Sequence, residues 1–273
     1  MVKFAAGLFI AFVTLEIIAI LSGFHQGVTG QSSLNLLNLI IGPIFGAATA
    51  YFLATMGERR RLKQAQTQAF HKVFLALQSC MDDLVSYKHA ILKNEGLDDE
   101  LFRFLLIKET AGSTKPACEV SLHEVTDSMS AKINFGLVRE IIECIEFYNT
   151  TKDVFETRNE LHREYQLKVS SLEHSVRKDI SLELVLTVVS PSFFLKHYSL
   201  TEQALTILDR SISKYKSTII DYIEFGINND ITKIKNFAYP DDPVFIPFSS
   251  PRMKNQEELA ELLESVLNPA TVK

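Results

Sequence analysis

Apolar residues fall along this chain in three different patterns. Residues 2–21 are almost continuously apolar, broken only by Lys3 and Glu16. A second run, 34–56, carries no charge at all. Each run is about 20 residues long, which at 1.5 Å per residue spans about 30 Å, the thickness of a bilayer's hydrocarbon core. From Leu62 onward the apolar positions fall at steps of three and four: Leu62, Phe70, Val73, Phe74, Leu77, Met81, Leu84, Val85, Ile91 and Leu92. That spacing predicts an amphipathic helix continuing from the second run to about Lys93, with Asn94-Glu95-Gly96 as its stop.

Further helices follow from the same periodicity. Residues 97–108 predict a short one. Phe135, Val138, Ile141, Ile142, Ile145 and Tyr148 predict another, running on through Phe155, Leu161, Tyr165, Leu172 and Val176 past a weak point at Asn149-Thr150-Thr151. Ser199-x-x-Glu202 has the form of a capping box and predicts the start of a helix with Ala204, Leu205, Leu208, Ile212, Tyr215, Ile219 and Ile223 inward. Asn255-x-x-Glu258 predicts the start of a terminal helix with Leu259, Leu262, Leu263, Val266 and Leu267 on one face. Two stretches are less regular. "CEVSLHEV" alternates for a few residues and predicts a short strand, with residues 111–117 as a loop before it. In "DISLELVLTVVSPSFFL", Ile180, Leu182, Leu184, Leu186 and Val188 also alternate, but helical neighbours favour a buried helix over a lone strand. Pro240, Pro243, Pro247 and Pro251 deny regular structure to the segment between the last two helices, where Phe245 and Phe248 are placed to pin an extended chain into a groove.

The fold class expected is therefore all-α. A two-helix transmembrane hairpin (1–57) leads through a long stalk helix into a cytoplasmic helical domain (58–236). An extended proline-rich linker (237–254) and an amphipathic C-terminal helix (255–273) complete the chain. The terminal helix either docks on its own bundle or binds a partner. A cleaved signal peptide is the rival reading of 2–21, but the run is longer than such a core and contains Glu16. The linker 22–33 has no Lys or Arg, whereas Arg59, Arg60, Arg61 and Lys63 follow the second run. The positive-inside rule then puts both termini in the cytoplasm of an integral membrane protein, with a bacterial inner membrane as the expected site. The basic block reads as an anchor to anionic lipid.

Within the second run, Gly42, Gly46, Ala50 and Ala54 recur at four-residue steps, a face that lets helices approach closely. It pairs with Gly7, Ala11 and Ala19 of the first helix, or with another copy of the chain. Glu16 is the ionisable group deep in the first run, level with Asn38 in an antiparallel hairpin. It either hydrogen-bonds Asn38 as a neutral acid or lines a cation path in an oligomer.

Composition narrows the function. A net charge of −5 and a pI near 5.8 argue against direct binding of nucleic acid. Cys80, Cys118 and Cys144 have neither disulfide-frame nor zinc-site spacing and read as reduced thiols. No phosphate loop, HExxH or GxSxG occurs. Arg158 and His162 share a helix face and resemble in part the motif of the HEPN nucleases, but three residues intervene rather than four to six; the pair reads instead as solvent-facing beside Glu160 and Glu164. No catalytic, cofactor or metal site is expected.

In outline, the two apolar runs followed by a helical domain resemble the two-span membrane effectors of bacterial antiphage systems of the retron type. That resemblance rests on architecture and implies a homo-oligomer held in check by a cytoplasmic protein partner, whose release lets it damage the bilayer in antiviral defence. The alternative is a non-toxic membrane scaffold or sensor subunit that docks a cytoplasmic complex.

Overall fold

The three-and-four stripe of Phe70, Val73, Leu77, Met81, Leu84 and Ile91 is fully inside the folded chain, each side chain buried. The structure, a computed structural model, describes residues 14, 18, 30–93, 102–109, 120–130, 132–173, 181–234, 237–251 and 255–267, the side chains of 30–41, 171 and 173 excepted. Among the described residues the chain is all-helical, with seven α-helices and no strand. They are α1 (Gly30–Leu92), α2 (Arg103–Leu106), α3 (Leu122–Ser128), α4 (Phe135–Glu173), α5 (Leu182–Val188), α6 (Pro191–Asn228) and α7 (Gln256–Leu267). A single 3₁₀ turn, Pro243–Phe245, lies between the last two. Contacts divide the chain into two units, Met1–Gln64 and Ala65–Lys273.

The first unit corrects the membrane expectation. Among the described residues no helix is long and apolar enough to cross a membrane. The described side chains ahead of Glu58 begin only at Gly42. The transmembrane keywords and the location as an integral inner-membrane protein with both termini cytoplasmic are overturned by this finding. Gly30–Ser33, expected in the linker, belong to α1. The first apolar run, apart from Thr14 and Ile18, lies outside the described residues, and so does Glu16.

In the second unit, α1 from Phe70 onward packs with α4 and α6 around one core. Phe70 stacks on Tyr222 with ring centroids 4.3 Å apart, and Tyr87 stacks on Phe155 at 5.3 Å. Every α6 position expected inward, from Ala204 to Ile223, is buried. Close approach of α6 to α1 depends on Gly226, where a Cβ would come within 2.5 Å of the Phe70 ring. Beyond it α6 ends in a Schellman motif: Ile231 N–H donates to Gly226 O at 2.8 Å and Asp230 N–H to Ile227 O at 3.1 Å, with Asp230 at φ 55°.

Several local expectations change. From Val120 onward "CEVSLHEV" is not a strand: Ser121 caps α3, accepting from Glu124 N–H at 3.2 Å while the Glu124 carboxylate accepts from Ser121 N–H at 3.0 Å. The true capping box sits there. Ser199 lies inside α6, which begins eight residues earlier because Ser190 caps it and Pro191 supplies the first-turn φ. The ambiguous run after Ile180 forms the helix α5, with Ser181 as its cap. α4 runs unbroken through Asn149-Thr150-Thr151, where Thr151 bonds Phe147 O at 2.7 Å and Ser211 Oγ at 2.8 Å. Leu62 and Phe135, expected in the core, are exposed.

A second, smaller apolar cluster lies beside the main one. It gathers Phe104 of α2, Val185 and Leu186 of α5 with Val189 at its end, Phe194 and Tyr198 of α6, and Leu259 and Leu263 of α7. The terminal helix therefore docks on its own chain, with Asn255 Oδ1 accepting from Glu258 N–H at 2.8 Å at its start.

Candidate functional site

The small-residue ladder is on the surface. Gly42, Gly46, Ala50 and Ala54 are exposed, and a Cβ placed on either glycine would meet nothing within 4 Å. The large apolar residues among them are exposed too: Ile44 is 63 % accessible, Tyr51 72 % and Leu53 62 %. Arg59, Arg60, Arg61 and Lys63 follow, all exposed. Asn38 lies in the α1 backbone, and its side chain, like Glu16, is outside the described residues. The expected Glu16–Asn38 pair is thus outside the description, while the ladder and the basic block share one exposed stretch of α1.

The polar cluster that the fold does assemble is internal. Arg158 of α4 is completely buried and His162, one turn on, nearly so. This corrects the solvent-facing reading of the pair. The guanidinium is used up on backbone: Arg158 donates to Lys108 O at 3.0 Å, to Phe104 O at 3.1 Å and to Ile107 O. It also reaches Asn159 Oδ1 at 3.3 Å and Thr201 Oγ1 at 3.4 Å. These carbonyls are at the end of α2, where a helix leaves its C=O groups without internal partners and carries partial negative charge. Arg158 satisfies them in place of a carboxylate. Burial lowers its pKa to about 10, so it remains charged at neutral pH.

His197 of α6 faces this group, its ring centroid 5.4 Å from that of His162. Burial, then the Arg158 charge, pushes His162 down to about 4; burial, Arg158 and His162 push His197 down to about 3. Both rings are neutral at pH 7. The two ring nitrogens of His197 and Nδ1 of His162 make no hydrogen bond. General acid–base work needs a pKa near the working pH and contact with a reacting proton. Both imidazoles are buried, and the Arg158 guanidinium beside them ties α4 to the end of α2. The buried thiol of Cys144 is similarly inert, held up at about 11 by burial. Cys80 is buried as well, and Cys118 lies outside the described residues.

A third feature was not foreseen. The proline-rich segment 239–251 is strapped to the main core by two buried cations. Lys88 of α1 pairs with Asp209 of α6 and donates to Ile246 O at 2.6 Å. Asp209 accepts Phe248 N–H at 2.7 Å, and Lys88 Nζ sits 4.5 Å above the Phe248 ring. Arg103 of α2 grips Glu202 with a two-pronged pair, its Nε 2.9 Å from Oε1, and donates to Ser249 O at 2.8 Å. Phe245 and Phe248 do pack against the core, as expected. The cations that hold them carried one signal: Lys88 continues the 77-81-84-91 stripe and Arg158 follows Phe155, so each is a charge at an inward position.

Among the described residues these features define an all-α protein in which Arg158, Lys88 and Arg103 hold separate elements together. No known family matches the chain, no curated protein matches it, and no solved structure matches it.

Proposed function

We propose that the chain is a non-catalytic assembly protein: copies join through the exposed apolar part of α1, and the helical body Ala65–Lys273 docks a protein partner. One observation carries this reading. Ile44, Tyr51 and Leu53 are each more than 60 % exposed, Leu53 on the same side of the helix as Gly42 and Gly46 and Ile44 with Tyr51 on the other, so the helix is apolar and exposed on both sides, with open space around the two glycines. Contiguous exposed apolar surface marks an interaction site. The small residues let a second helix approach closely, and a second copy offers an identical face, as two-fold assembly requires. The buried, neutral histidines and the backbone-bound Arg158 give no reason to add a reaction.

The test is the mass of the full chain in solution, by light scattering across micromolar concentrations. Ile44→Asp with Leu53→Asp should convert an oligomer to monomer without loss of helicity, and Gly46→Leu should weaken it. An unaltered chain that stays monomeric throughout would sink the proposal.

A further inference from the structure

The chain's C-terminal end is held in two ways of unequal strength. Up to Ser249 it is anchored by buried ion pairs and backbone bonds from Lys88, Arg103 and Asp209. Beyond Asn255 it is α7, a helix of 12 residues. Its four glutamates, 257, 258, 261 and 264, have no basic residue among them. Only Leu259 and Leu263 are fully buried, with Leu262 and Val266 partly so. A helix this short does not persist by itself in water, so α7 exists only while it is seated. Its seat is the secondary cluster of Phe104, Val185, Leu186, Val189, Phe194 and Tyr198, not the main core. Leaving that seat does not require the strap to move, because the strap packs on the other cluster.

We infer that α7 is a latch that opens on its own, and that the groove beneath it receives the α7 of a second copy of this chain. The seated helix itself shows which sequence the groove accepts: leucines at i and i+4 in one cluster with Phe104 and Phe194, and exposed glutamates, of which Glu258 lies close enough to raise the pKa of Tyr198. A second copy supplies the same contacts, so exchange costs no specific interaction. Cis seating wins only through its high effective concentration. The strap then has a purpose. By fixing Ser249 it holds the tether of each latch at a set distance from its own groove, so an opened latch and an empty groove are presented together. This assembly route is independent of the α1 contact proposed above.

The test uses full-length chains that all carry Ile44→Asp and Leu53→Asp, so that the α1 contact is absent. One chain adds Leu259→Asp and Leu263→Asp, which spoils the latch and leaves the groove open. The other adds Phe104→Ala, which weakens the groove and frees an intact latch. Mixed, the two should form a 1:1 complex at least about tenfold tighter than either makes with itself. A fluorescent peptide of residues 255–267 should bind the first chain and compete with the second. Peptide binding without a 1:1 complex would overturn the second copy as occupant, and absence of both would overturn the groove. Hydrogen exchange on the unaltered chain provides a check that needs no substitution. Amides of residues 262–267 should exchange about a hundredfold faster than that of Leu208. Exchange of both at one common rate would show that α7 leaves only when the whole fold does, and would end the proposal.

Discussion

Lys88 and Asp209 form an ion pair between α1 and α6, with the Lys88 side chain 2 % and the Asp209 side chain 16 % exposed. The pair is also the fastening point of the strap, because Lys88 holds Ile246 O and Asp209 holds Phe248 N–H. Removing one partner of a buried pair leaves the other charge uncompensated, a cost of about 3–5 kcal/mol. Lys88→Met should therefore destabilise the chain by about 3 kcal/mol in urea unfolding. The double variant Lys88→Met with Asp209→Leu should recover much of that loss. Equal stability of the single and double variants would show that the charge pairing is not what matters there.

Arg158 should be as sensitive, for a different reason. Its replacement strands the carbonyls of Phe104, Ile107 and Lys108 rather than a carboxylate. Each buried unsatisfied polar group costs about 1–3 kcal/mol. Arg158→Met should cost about 3 kcal/mol or more. Arg158→Lys should restore little, because an ammonium cannot reproduce the planar fork. Full stability in the lysine variant would contradict the geometry.

Stability should fall in mild acid. His162 and His197 have folded pKa values of about 4 and about 3, below the unfolded value near 6.5. The unfolded chain thus takes up protons that the folded chain refuses. The stabilisation is complete above about pH 6.5 and is lost as pH falls toward 4 and 3. His197→Phe should flatten this acid limb and leave the neutral-pH stability nearly unchanged or higher, since neither ring nitrogen has a partner to lose. Urea midpoints between pH 7 and 4.5 decide it: an unchanged slope in the variant would assign the limb to other groups.

Two glycines in helices should respond oppositely to alanine. At Gly226 the new Cβ would meet Phe70 at 2.5 Å and Thr232 at 2.8 Å, in the packed core. Overpacking of this kind costs about 1–3 kcal/mol. At Gly46 nothing lies within 4 Å, so alanine should stabilise α1 by up to about 1 kcal/mol. Thermal unfolding of both variants checks the contrast.

Asp230 holds a left-handed conformation at φ 55° to close the Schellman motif of α6. Glycine adopts that conformation without the side-chain penalty. Asp230→Gly should raise stability by roughly 0.5–1 kcal/mol, a gain measurable in the urea midpoint.

The amino-acid sequence by itself determined the helices and most of what they bury. Amphipathic spacing is a property of neighbours along the chain, so the inward face of α6 from Ala204 to Ile223, the stripe of α1 from Phe70 to Ile91 and the Leu259–Leu263 face of α7 were all legible in advance. Helix starts were less so. Ser199-x-x-Glu202 and Ser121-x-x-Glu124 have the same pattern, and only the second is a cap, because Ser190-Pro191 had already started α6 upstream. The tertiary structure alone decided the rest. Whether Leu62 and Phe135 are covered depends on the reach of other elements, and neither is. Arg158, Lys88 and Arg103 are buried because carbonyls and carboxylates from 50 to 158 residues away come to meet them. The physical reason is common to all of these. Periodicity records the direction in which a side chain points. The partner that makes a buried charge tolerable is brought by a distant part of the chain, and only folding puts it there.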